Sequence, residues 1–140
     1  MEGRVLACCI ADKKGIPKKE VHELTLIENF GVEGDAHAGG ERQVSLLAKE
    51  SVEKSGLEVP PGAFGENILI EGINLTKIQI GDKIAIDEVI LEVTHKGKKC
   101  HTKCAIFYKT GKCIMPVEGI FAKVLKGGKI KKGAKVKIEK

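Results

Sequence analysis

The stretches KIQIGDKIAI (Lys77 to Ile86) and KIKKGAKVKI (Lys129 to Ile138) decide the fold. Each reads as strand, glycine turn, strand. Lys77 matches Lys129, Gly81 matches Gly133, Lys83 matches Lys135 and Ile86 matches Ile138. The match is too short to establish a duplication. It does predict two similar turns feeding alternating strands, as in a small barrel.

The flanking sequence extends this pattern. EVILEVTHKGK is a β-branched strand, GRVLACCIAD (Gly3 to Asp12) is a short apolar strand, and Asn67 to Glu71 is another. Val21, Leu24, Leu26 and Phe30 alternate with polar residues before a glycine-rich loop from Gly31 to Gly40. RQVSL starts as a strand, and LLAKESVEKSG turns helical and stops at Gly56. PVEGIFAKVLKGG reads as one helix closed by Gly127 and Gly128. The expectation is a mainly β protein: a small closed or nearly closed β-barrel with two or three short helices. The 140 residues are read as one domain, 1–140.

Composition narrows the function classes. The formal net charge is +5, yet Arg4 and Arg42 are the only arginines and aromatic content is 4%. Proteins that read or stack on bases favour arginine and aromatics, so no nucleic-acid partner is expected. The charge suits a small anion or an acidic partner better. No apolar stretch approaches the ~20 residues of a membrane span, and no secretory leader is evident. Five cysteines, an odd number, fit a reducing cytoplasm rather than a disulfide framework.

Three constellations carry candidate chemistry. KGKKCHTKCAIFYKTGKC (Lys96 to Cys113) holds three cysteines and six lysines, and no acidic residue lies between Glu92 and Glu118. Nearby cations lower a thiol's pKa, so Cys100, beside Lys98, Lys99 and His101, suits a nucleophile, a sulfur carrier or a metal ligand. Cys104, after Lys103, is its rival, whereas Cys113 reads as core. A structural zinc site has soft ligands here, but the spacing is not that of a zinc knuckle. At least one of Cys8 and Cys9 is expected to be buried and inert, because adjacent strand residues face opposite sides.

GVEGDAHAGGERQVSLL is the second. Asp35 and His37 form a ligand or acid–base pair or else a solvated pair, and Arg42 is an anion clamp beside a glycine loop. The third is GAFGENILIEGINL, where Glu66 and Asn67 either serve a ligand or cap a turn.

Together the G-D-x-H-A-G, R-Q-V, F-G-E-N and C-x-x-x-C blocks resemble the MOSC domain, named for the C-terminal part of molybdenum-cofactor sulfurases. The resemblance covers nearly the whole chain in order and looks like the short, stand-alone prokaryotic form. It implies a pyruvate-kinase-barrel type of β-barrel with a reactive cysteine that carries sulfur as a persulfide or ligates molybdenum. That cysteine falls on Cys100, with His101 and Cys104 beside it. Asp35, His37, Arg42, Glu66, Asn67 and Lys99 fall to cofactor binding. The implied cofactor is molybdopterin. Pyridoxal phosphate belongs to a separate domain of the sulfurase and is not expected here. The implied partners are a cysteine-desulfurase-like sulfur donor and enzymes or biosynthesis proteins of the molybdenum cofactor. A sulfur transferase, a cofactor-dependent activity and a non-catalytic molybdopterin or oxyanion binding module all remain open.

Overall fold

The computed structural model describes residues 2–97 and 118–139. Its strands run β1 (Glu2–Ile10), β2 (Lys19–Val21), β3 (Glu23–Ile27), β4 (Gly31–Val32) and β5 (Val44–Ala48). A short helix, α1 (Lys49–Lys54), and β6 (Ile68–Glu71) follow, then a 3-10 turn at Leu75–Lys77. The chain continues through β7 (Lys83–Ile86), β8 (Val89–Lys96), β9 (Ile120–Lys126), β10 (Gly128–Lys131) and β11 (Lys135–Glu139).

Seven of these strands close a ring in the order β1, β6, β5, β9, β8, β7, β11 and back to β1. Closure is the antiparallel pairing of Glu2, Gly3 and Arg4 with Lys137, Val136 and Lys135. The β5–β6 pair is parallel; the other pairs of the ring are antiparallel. β2 continues the edge of β1, and β10, β3 and β4 form a small satellite sheet.

Alternation builds two apolar layers. Val44, Leu46, Ile68, Ile70, Ile84, Leu91, Val93, Ala122, Val124 and Val136 fill the barrel. Ala7, Cys9, Leu47, Phe64, Leu69 and Phe121 form a second cluster against which Val52 of α1 and Leu57 pack. β5 is therefore buried along its whole length, with both faces covered. The ladder of β1 shifts register between Val5 and Ala7. That extra residue lets Val5 and Cys8 face the barrel while Ala7 and Cys9 face out.

The mainly β barrel matches expectation, and two local readings need correction. IFAKVLK is strand β9, not a helix. It lies between β5 and β8, where Ala122 faces both Val44 and Val93, and Lys123 pairs with Glu92. Two neighbouring ladders outweigh the local helical signal. Lys77 to Ile80 is also not a strand. Asn74 caps a 3-10 turn by accepting from the Thr76 amide at 3.1 Å, and the chain enters β7 only after Gly81. The elements described include one short α-helix and this 3-10 turn.

Leu46 is fully buried within the barrel. Leu46→Ala should cost about 2–5 kcal/mol of unfolding free energy by urea titration. Ile80→Ala, at a residue 63% exposed, should change it by less than about 0.5 kcal/mol.

Candidate functional site

The glycine loop after β4 turns sharply, with the Asp35 amide donating to the Val32 carbonyl at 3.1 Å. This carries Asp35 inward rather than onto the surface. Its side chain is fully buried and accepts from Lys18 Nζ at 2.7 Å, the Ala11 amide at 3.1 Å and the His37 amide at 3.1 Å. Burial alone would raise the Asp35 pKa. The hydrogen bonds from His37 and Lys18, with the Lys18 charge, more than offset it and hold the carboxyl well below the usual range. Lys18, whose side chain is 1% exposed, also lies 3.2 Å from His37 Nδ1. Asp35 and His37 are brought together as a pair, with Lys18 as a third member that sequence reasoning missed. Nothing distinguishes Lys18 from the neighbouring surface lysines until the fold buries it.

Glu66 and Asn67 lie on the same side of the molecule but have inward tasks. Glu66 accepts from the Gly62 amide at 2.9 Å and the Phe64 amide at 3.3 Å, fastening the turn between them. Gly62 sits at φ 86°, and a side chain there would collide with the Lys18 carbonyl. Burial pushes the Glu66 carboxyl up against the opposing pull of these amides and of Lys18. Asn67 bridges strands: its Nδ2 donates to the Cys9 carbonyl at 3.0 Å, and its Oδ1 accepts from the Ser45 amide and hydroxyl, both at 3.1 Å. Ser45 is a second residue the sequence did not flag.

Arg42 differs from these satisfied groups. Its guanidinium lies 5.5 Å from the centroid of the Phe121 ring, and its buried Nε has no hydrogen-bond partner among the described residues. A cleft of about 330 Å³ opens beside it, lined among the described residues by Lys14, His37, Gly40, Glu41, Arg42 and Phe121. Two cations and an imidazole against one exposed carboxylate suit an anion.

Lys99, Cys100, His101, Cys104 and Cys113 lie outside the described residues. The described cysteines, Cys8 and Cys9, are both buried. Burial, then the Glu20 charge, pushes the Cys8 thiol up to about 11. Burial and the nearby Glu66 and Glu20 carboxylates raise Cys9 further. Neither suits thiolate chemistry at neutral pH. No cluster of potential metal ligands occurs among the described residues.

Residues 33–137 match the profile of the MOSC domain. The chain belongs to the MOSC domain family. That family is associated with the molybdenum cofactor in general. Its members among the similar proteins include the uncharacterised protein YflK of Bacillus subtilis (strain 168), 25% identical over 139 residues that make up 89% of this chain. The chain spans 62% of YflK's length. The YuaD protein of Bacillus subtilis has a similar fold, with a TM-score of 0.80 at 19% identity over 99% of this chain and 96% of its own. YiiM from Geobacillus stearothermophilus gives 0.74 at 20% identity, over 99% of this chain and 75% of its own. These two likenesses concern the MOSC fold alone. Among the described residues, no helix is long and apolar enough to cross a membrane.

Asp35→Asn should destabilise the protein by about 3–5 kcal/mol at pH 7, because it leaves the Lys18 charge buried without its counterion. The two carboxyls also predict opposite pH effects. The Asp35 contribution is complete above its unfolded pKa of ~3.9 and is lost as pH falls through its lower folded value. Glu66 costs stability as pH rises above its unfolded value of ~4.3 toward its raised folded one. Glu66→Gln should therefore cost most at or below pH ~4.3, where it loses one amide hydrogen bond, and its net cost should shrink as pH rises above that value. Urea titrations across pH would read both slopes.

Proposed function

We propose that this MOSC protein carries sulfur, or handles the molybdenum cofactor, through a cysteine thiolate working beside the Arg42 cleft. The observation that carries the reading is the Arg42 guanidinium, whose buried Nε–H is unpartnered next to a cleft with a cationic rim. A guanidinium in the wall of such a cleft is a ready anchor for an anion. Cys100 is the proposed working thiol, with His101 and Lys99 beside it and Cys104 as the second thiol.

Connectivity supports this placement. The Gly97 amide donates to the Gly119 carbonyl at 2.7 Å, so the described residues on either side of the cysteine segment are neighbours. Phe121 of the cleft is two residues beyond Gly119.

In the sulfur-transfer reading, the thiolate attacks the outer sulfur of a donor persulfide. A new S–S bond forms on the carrier, the donor's S–S bond breaks, and the donor leaves as its thiol. The donor class is a cysteine-desulfurase-like protein, and the acceptors are enzymes or biosynthesis proteins of the molybdenum cofactor. The surrounding lysines stabilise both the thiolate and the persulfide anion. The orphaned Arg42 donor fits an anionic group of molybdopterin. Arg42, Lys14 and His37 would hold such a group, while Asp35, Glu66 and Asn67 act behind them by fixing the loops. When bound, the molybdenum centre supplies two-electron redox chemistry.

A second reading, a non-catalytic molybdopterin or oxyanion binding module, is favoured by the same cleft, whose donors are in place without any cysteine.

Incubation with a cysteine desulfurase and cysteine should add one sulfur, roughly 32 Da by intact mass, to Cys100. Cys100→Ser should abolish the adduct. An adduct retained at Cys104 would transfer the role to that thiol, and one retained in the Cys100→Ser/Cys104→Ser protein would end the carrier reading. Unchanged molybdopterin binding by that double variant, with no adduct in the parent protein, would favour the binding module.

A further inference from the structure

The contact between Lys18 and His37 has a chemical consequence for the cleft. An ammonium has three donors and no acceptor. Lys18 Nζ lies 2.7 Å from Asp35 Oδ1 and 3.2 Å from His37 Nδ1. The other neighbour of Nδ1 is Asp35 Oδ2, farther away at 3.6 Å. Nδ1 can answer the ammonium only as an acceptor.

We infer that Lys18 is a positioning residue that fixes neutral His37 as its Nε2–H tautomer, so that the imidazole presents a donor to the Arg42 cleft. The Nδ1 edge faces the buried lysine, which leaves the Nε2 edge of a ring 23% exposed to the cleft that His37 lines. Lys18 cannot swing away. Its side chain is 1% exposed, Asp35 holds its ammonium, and its backbone amide is bonded to the Gly62 carbonyl at 2.7 Å. Asp35 is held in turn by the amides of Ala11 and His37. The result is a chain of three side chains running from a buried carboxylate to the cleft.

This assignment rests on the anion reading of the cleft and makes it more specific. His37 Nε2, Arg42 and Lys14 would offer only donors, and Glu41 at the rim is the one described acceptor side chain. Such a set favours a fully ionised oxyanion over a ligand that must donate a proton. The class is a tetrahedral dianion, free or as the terminal group of a larger cofactor.

The test is a long-range proton–nitrogen NMR spectrum of the whole protein, labelled with nitrogen-15 in histidine, at pH 8 without ligand. His37 should show an unprotonated Nδ1 and a protonated Nε2. A proton on Nδ1, or an imidazolium at this pH, would overturn the inference. Lys18→Met, if it folds, should move the His37 proton to Nδ1 or mix the tautomers; an unchanged tautomer would remove Lys18 from the role. If that variant does not fold, the wild-type spectrum still decides. Titration with potassium sulfate then tests the cleft separately. Arg42→Gln and His37→Phe should each weaken sulfate binding by about tenfold or more. Correct tautomer without sulfate binding would refute the dianion assignment while leaving the Lys18 role standing. Sulfate binding that His37→Phe leaves unchanged would refute the His37 donor.

Discussion

The pairing of β1 with β11 is the constraint on which the rest depends. Residues from opposite ends of the described chain meet there, Arg4 against Lys135 and Glu2 against Lys137. A sheet that failed to close would expose two strand edges and the inner apolar face together. The same strand then continues past the ring, pairs with β2, and delivers Cys9 and Ala11 to the outer surface. Ala11 takes the Ala36 amide on its carbonyl and gives its own amide to Asp35. The glycine loop therefore hangs from the far end of the strand that closes the barrel.

Because the barrel interior is filled with aliphatic side chains, polar function is confined to the outside of the ring and its loops. There the protein uses two kinds of buried polar group. Asp35, Glu66 and Asn67 have each found amide partners, and their effect is to make three irregular segments rigid. Ser45 and Asn67 add a polar tie across the parallel β5–β6 pair, the one pair in the ring with that direction. Arg42 has been left with a donor to spare. The contrast separates residues whose partners are in place from one with a donor left unpartnered among the described residues.

The buried Lys18–Asp35 pair is costly to desolvate, and its carboxylate also answers the Ala11 and His37 amides. Its value is better understood through geometry. The pair fixes the start of the glycine loop, and its lysine reaches His37, the imidazole that borders the cleft among the described residues. A hydrophobic replacement would leave those two amides without their acceptor and would lose the orientation of His37.

The sequence by itself determined the barrel class, the positions of most turns and the blocks that mark a MOSC domain. Period-two alternation and glycines at Gly56, Gly81 and Gly133 are local signals, set by backbone sterics at each residue. It also singled out Asp35, His37, Arg42, Glu66 and Asn67, because loop residues of those types are chemically distinctive. Only the tertiary structure decided which of them turn inward. Lys18 became a buried ion because the Asp35 loop and Gly62 close around it; Phe121 became a platform for Arg42 because IFAKVLK is a strand with neighbours on both sides. Burial and pairing are properties of segments distant in sequence, and a lysine's charge or a phenylalanine's bulk is the same in every context until those segments meet.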